Sequence, residues 1–164
     1  FNVLNNALES FPEDISLRYT RALVAVALDK LTQAESDLRE IIAIQPDNAA
    51  AINALGYTLA DLTDRYEEAE VLIQRAYELQ PEDASIIDSM GWISYRLGRL
   101  AEAEAYLREA WSVMRNAEVA AHLGEVLWAR GQKDEARSTW RLGLQLDAEN
   151  EVLIDTMKRF GESP

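Results

Sequence analysis

Apolar residues recur at steps of three and four along almost the whole chain, the spacing that lines one face of an α-helix. From about Ala49 to Leu62 the stripe is Ile52, Leu55 and Leu59, and a second stripe runs from about Tyr66 to Leu79 before Pro81 interrupts it. The next stretch repeats the layout. Ile86, Ile87 and Met90 mark a first helix, Gly98 a tight turn, and Leu100, Leu107 and Ala110 a second helix. A further copy carries Leu123 and Leu127, then Gly131, then Ala136 and Trp140. Asp47 and Asn48 ahead of Ala49 are helix-start residues, and a glycine at the inter-helix turn suits a left-handed cap.

The hairpins are copies of one unit. Ala34, Ile41 and Pro46 are matched by Ala69, Ala76 and Pro81, then by Ala103, Ala110 and Arg115, then by Ala136, Gly143 and Ala148. From one proline slot to the next the period is 34, 35, 34 and 33 residues, counted from Pro12. A period of that size with two helices per unit predicts an all-α solenoid, a right-handed superhelix of about four helix-turn-helix units in which each contacts its neighbours. The expected divisions are a partial repeat over 1–11, units over 12–45, 46–80, 81–114 and 115–148, and a capping helix with tail over 149–164. The cap is expected over Val152 to Phe160, with Leu153, Ile154, Met157 and Phe160 apolar.

The first unit fits less well, because Arg18 and Arg21 fall where the other units are apolar; a one-residue slip of register is expected there. Upstream of Pro12, Leu4, Ala7 and Leu8 read as the end of a second helix whose partner is missing. The array is therefore expected to continue toward the N-terminus in a longer protein, with fraying or a dimer contact at this edge.

Composition narrows the function. There are 16 basic and 29 acidic side chains, a net charge of −13, which repels a phosphate backbone and an anionic membrane surface. No direct membrane insertion is expected, since no apolar run reaches the length of a span. Residues 1–95 carry 6 basic against 17 acidic side chains, and residues 96–164 carry 10 against 12, so the second half tolerates an acidic partner better. With no cysteine and one histidine, thiol chemistry and cysteine-based zinc sites are excluded. There is no Gly-x-Ser-x-Gly, no His-Glu-x-x-His and no phosphate loop, so no catalytic residue, metal ligand set or cofactor is expected.

The residues resemble the tetratricopeptide repeat (TPR) family. The match is carried by Leu55-Gly56, Tyr66, Ala69, Ala76 and Pro81, then by Met90-Gly91, Gly98, Leu100, Ala103 and Ala110. Small residues such as Gly56, Gly91, Gly124, Ala69, Ala103 and Ala136 let helices approach closely. Arg115 and Ala148 depart from the pattern at proline slots. A narrower resemblance is carried by the stretches Asn53 to Ala60, Ser89 to Arg99 and His122 to Trp128. They look like the C-terminal repeats of proteobacterial outer-membrane lipoproteins of the TPR type, some of which are periplasmic adaptors presenting cell-wall (peptidoglycan) hydrolases to a carboxyl-terminal-processing protease. That resemblance implies proteolysis-linked scaffolding on the periplasmic side of the outer membrane.

The family pattern implies a concave groove for a protein or peptide partner, lined by Asn53, Tyr57 and Asp61, by Ser85, Asp88, Ser89, Trp92, Tyr95 and Arg96, and by Glu118, His122, Glu125 and Trp128. Aromatic bodies with polar tips suit peptide recognition. Packing between units is the alternative for Trp92, Tyr95 and Trp128, while Trp111 and Trp140 are expected in the core. A carboxylate clamp is disfavoured, since Asn53 and Arg96 stand against four acidic groups. Lys133, Arg137 and Arg141 form a basic ridge, read as a solvated face or as a docking ridge for an acidic partner. The expected role is a non-catalytic binding scaffold. A self-assembly module and a spacer domain of a larger enzyme are the alternatives.

Overall fold

In the computed structural model the described residues are 1–163; Pro164, the end of the expected terminal segment, lies outside them. Among these residues there are ten α-helices and no strand. The chain divides into two compact units, Phe1 to Gln80 and a second starting at Pro81. In the first unit, α1 (Asn2–Ser10) lies on α2 (Ile15–Ala27), α2 pairs with α3 (Leu31–Ile44), α3 packs on α4 (Ala49–Leu62), and α4 pairs with α5 (Tyr66–Leu79). In the second, α6 (Ala84–Arg96) pairs with α7 (Leu100–Val113), α7 packs on α8 (Ala117–Ala129), and α8 pairs with α9 (Lys133–Leu146). The last helix, α10 (Glu151–Arg159), packs on α8 and more lightly on α9.

The two helices of a hairpin start differently. Each first helix has a side-chain cap: Asp14 accepts from the Leu17 N–H, Asn48 from Ala51, Asp83 from Ser85 and Ile86, and Asn116 from Val119. Asn150 does the same for α10, accepting from Leu153. The second helices carry no such cap, and α3, α7 and α9 are entered through a left-handed turn. Asp29, Gly98 and Gly131 have φ of 54°, 77° and 81°. Behind each, the next N–H closes the Schellman bond to a carbonyl five residues back: Lys30 to Ala25, Arg99 to Ser94 and Gln132 to Leu127, at 2.8 to 2.9 Å. The α4–α5 turn has the same three residues, after a first helix one residue longer than the others, and has no left-handed residue. Thr63 bridges it instead, donating to the Leu59 carbonyl at 2.6 Å and accepting from the Arg65 N–H at 3.1 Å.

Each hairpin closes over a small residue. A Cβ on Gly56 would meet Ile73 Cγ1 at 2.6 Å, one on Gly91 would meet Leu107 Cγ at 2.5 Å, and one on Gly124 would meet Trp140 Nε1 at 2.0 Å. The second helices contribute Ala34, Leu38 and Ile41, then Ala69, Ile73 and Ala76, then Ala103, Leu107 and Ala110, all fully buried. Trp140 takes the corresponding place in α9, with its indole N–H on the Ala121 carbonyl at 3.3 Å. As expected Trp140 is core; Trp111 packs against the same core only partly buried, with the Arg115 guanidinium 5.5 Å above its ring.

The expected slip of register in α2 does not occur. Ala22 lies one 34-residue period before Gly56, so Arg18 and Arg21 stand where α4 has Ile52 and Leu55. They are accommodated because α3 offers Asp37 and Glu40 across the hairpin. Arg21 holds Asp37 by two hydrogen bonds, and Arg18 reaches Glu40 and the Pro12 carbonyl, both at 2.6 Å. A layer of charge replaces a layer of aliphatic carbon. Arg21 also donates to Asn5 Oδ1 at 3.1 Å, which ties α1 down, and Leu8 is buried. α1 is a formed helix, with Val3 strongly exposed.

Candidate functional site

On α4 the spacing of four puts Asn53, Tyr57 and Asp61 on one line, and all three are half-buried. The Asn53 side-chain oxygen is buried and has no hydrogen-bond partner among the described residues. In the second unit, one face of α6 and α8 gathers many of the expected site residues. Asp88 Oδ2 lies 2.8 Å from His122 Nδ1, both side chains buried. The Trp92 ring stacks on the His122 imidazole with centroids 4.4 Å apart, and Tyr95 follows at 5.3 Å from Trp92. The Tyr95 hydroxyl donates to Glu125 Oε1 at 3.2 Å. Burial pushes this phenol up to about 12, and the Glu125 charge and its hydrogen bond add to the shift, so Tyr95 stays a neutral donor at ordinary pH.

This part of the expected groove is largely filled by its own side chains. Asp88, Ser89, Trp92, His122 and Glu125 are buried, while Tyr95 and Arg96 are half-buried and Ser85 and Glu118 exposed. The Ser89 hydroxyl donates to the Ser85 carbonyl within its own helix at 3.0 Å. Trp128 belongs to the terminal cap: its ring stacks on Trp140 at 5.6 Å and tilts against Phe160 at 5.5 Å, with Lys133 and Arg137 over it. The basic ridge is partly spent in the same way, since Arg137 also pairs with Glu162 at 2.9 Å and Asp134 at 3.1 Å. Arg141 turns its Nε to the Arg137 carbonyl.

Two arrangements escape the sequence reading. Arg159 on α10 reaches Glu125, Nη2 to Oε2 at 2.8 Å and Nη1 to Oε1 at 3.3 Å. The second is the charged layer of Arg18, Arg21, Asp37 and Glu40. A signal for the first existed: Asp88 and His122 are 34 residues apart, as are Glu125 and Arg159. Testing polar side chains one period apart for complementary charge finds both pairs. Among the described residues no three His, Cys, Asp or Glu side chains converge as a metal site.

Two family models match, both described as tetratricopeptide repeat, over residues 84–122 and 117–141. Residues 84–141 are built of tetratricopeptide repeats. A TPR repeat-containing protein of Pseudomonas aeruginosa is 52% identical over 125 residues, which is 76% of this chain and 21% of that protein. The chain thus spans about a fifth of that relative's length. Among solved structures, a thermophilic TPR protein of Thermus thermophilus is similar with a TM-score of 0.82 at 21% identity, covering 98% of this chain and 86% of the other. The pilF protein of Pseudomonas aeruginosa is similar with a TM-score of 0.69 at 25% identity, covering 97% and 74%. TPR arrays are generally non-catalytic and mediate contacts between proteins. No described helix of these repeats is long and apolar enough to cross a membrane.

Proposed function

We propose that this chain is a non-catalytic scaffold that binds a polypeptide on the first-helix faces of its TPR hairpins. One observation carries the reading. Asn53 Oδ1, Asp88 Oδ1 and Trp92 Nε1 are buried hydrogen-bonding atoms with no partner among the described residues. All three belong to residues that the repeat pattern puts on the binding face; the fourth such atom, Arg18 Nε, lies in the charged layer. Leaving such a group unpaired costs about 1–3 kcal/mol. A polypeptide backbone, which alternates donors and acceptors, can meet both kinds after a small opening of the face.

In the first unit the reading rests on Asn53, Tyr57 and Asp61 on α4; in the second, taken by itself, Ser85 and Glu118 are exposed and Arg96 half-buried. The finer role is that of an adaptor on the periplasmic side of the outer membrane, in a lipoprotein that presents cell-wall hydrolases to a carboxyl-terminal-processing protease. Support for it comes from the stretches Asn53 to Ala60, Ser89 to Arg99 and His122 to Trp128, together with the identity to a proteobacterial TPR protein.

The test is to cross-link the full-length protein in its native cells, identify the captured chain, and measure its Kd against the purified repeats. Asn53→Ala with Tyr57→Ala, both half-buried, is expected to weaken binding at least tenfold without changing the helical circular dichroism. Undiminished binding removes the reading. A mass that rises with concentration and no captured partner favours self-assembly instead.

A further inference from the structure

Glu125 is a buried carboxylate whose charge is met from outside its own hairpin. Its side chain is 6% exposed, whereas that of Arg159, which compensates it, is 58% exposed. A carboxylate so buried requires a cation, because an uncompensated buried charge costs several kcal/mol. The cation supplied comes from a side chain more than half in water. Arg159 is the last residue of the nine-residue α10, and it also donates to the Thr156 hydroxyl at 3.1 Å and lies over the ring of its neighbour Phe160, 5.9 Å from the ring centre.

The side chains around Glu125 suit a guanidinium or an ammonium in the place Arg159 occupies. The Tyr95 hydroxyl fixes one carboxylate oxygen, Trp92 sits 5.3 Å from the Tyr95 ring, and Asp88 beyond it keeps one buried oxygen without a partner. Carboxylates beside aromatic faces are the groups that hold such cations. The charge of the molecule agrees: residues 81–164 carry 10 basic and 15 acidic side chains, and the whole chain stands at −13. That field draws a cationic segment in.

We propose that Glu125 is the seat of an arginine or lysine side chain of the bound polypeptide, held in the free chain by Arg159, which yields it when the partner's cation enters. This rests on the scaffold reading above and gives the partner its chemistry: a basic segment. The exchange of one cation for another leaves Glu125 compensated throughout. The exchange is cheap on the side of Arg159, whose guanidinium, already more than half in water, returns to solvent while the incoming cation takes over its bonds to Glu125.

The test uses the full 164-residue chain and the probes N-acetyl-L-arginine amide and its neutral isostere N-acetyl-L-citrulline amide, followed by the Trp92 indole N–H resonance. The arginine probe is expected to shift it with a millimolar Kd, and the citrulline probe to leave it in place. Arg159→Gln is expected to tighten arginine binding at least threefold by removing the competitor, and Glu125→Gln, which still accepts from Tyr95, to abolish it. An equal response to the two probes, or an unchanged Kd in Arg159→Gln, overturns the proposal; should Glu125→Gln not fold, those two comparisons still decide. A chain that still loses its captured partner on Asn53→Ala with Tyr57→Ala, but does not tell arginine from citrulline, sinks only this inference and leaves the scaffold reading standing.

Discussion

Arg21 grips Asp37 with two hydrogen bonds, Nε to Oδ2 at 2.8 Å and Nη2 to Oδ1 at 2.6 Å, in a hairpin layer where the following repeat has Leu55 and Leu72. Asp37 is 1% exposed and also accepts from Gln33 at 3.2 Å, so its charge is fully met. The hydrogen bond to Asp37 holds the pKa of the Arg21 guanidinium above its usual value, so Arg21 stays charged. Such a layer adds little net stability, because two groups had to leave water.

Breaking that layer on one side is therefore costly and replacing it whole is not. Asp37→Ala is expected to lower the unfolding free energy by about 3 kcal/mol, leaving the largely buried Arg21 without its closest counter-charge, while Arg18 keeps Glu40. The triple change Arg18→Ile, Arg21→Leu and Asp37→Leu restores the aliphatic layer of the next repeat and is expected to be at least as stable as the parent. Urea unfolding followed by circular dichroism checks both, and a triple variant less stable than Asp37→Ala contradicts the argument.

The three hairpin glycines differ in what a methyl group would strike. At Gly124 the obstacle is the rigid, fully buried indole of Trp140, 2.0 Å away and hydrogen-bonded to Ala121. Gly124→Ala is expected to cost about 3 kcal/mol despite the better helix propensity of alanine. Gly56→Ala meets Ile73 Cγ1 at 2.6 Å, which a rotamer change relieves in part, and is expected to cost about 1 kcal/mol. Thermal melts of the two variants give the order, and equal loss at both sites would show that the crossing, not the indole, sets the penalty.

The terminal cap is an aromatic stack with a charged lid. Phe160 lies 5.6 Å from Trp140 and 5.5 Å from Trp128, so Phe160→Ala is expected to cost about 2 kcal/mol, less than a fully buried phenylalanine because its ring is partly exposed. Tryptophan emission should move to the red as water reaches Trp128. A variant with unchanged emission and stability would mean that α10 does not depend on this stack.

Tyr95 gives the molecule an alkaline signature. Its pKa rises from 10.0 in the unfolded chain to about 12 in the folded one, so the folded state holds that proton more tightly. The contribution is complete below pH 10 and is lost between pH 10 and 12. Tyr95→Phe should therefore lose less stability than the parent over that interval. Melting curves at pH 9 and pH 11 measure the difference, and parallel losses in both proteins contradict the assignment.

The hairpins themselves were legible because helical periodicity and close crossings are local in sequence. Gly98 and Gly131 announce left-handed turns, and Gly56, Gly91 and Gly124 announce where helices meet. Trp140 could be assigned to the core for the same reason, since its slot recurs as Ile73 and Leu107. The polar side chains were not legible in this way. Arg18 and Arg21 looked like a broken register because their partners lie across a turn, and Trp128, its indole stacked on Trp140 and Phe160, looked like a groove residue. Glu125 looked open because its cation comes from a helix 34 residues away.

Hydrophobic spacing alone set the number of helices, their pairing into hairpins and the repeat length, since an apolar stripe must be buried wherever it occurs. The tertiary structure alone decided which charges are met and by whom. A carboxylate's environment is fixed by whichever cation the packing brings within about 3 Å, and the strength of that pairing falls off with distance and exposure to water, quantities that no stretch of sequence carries by itself.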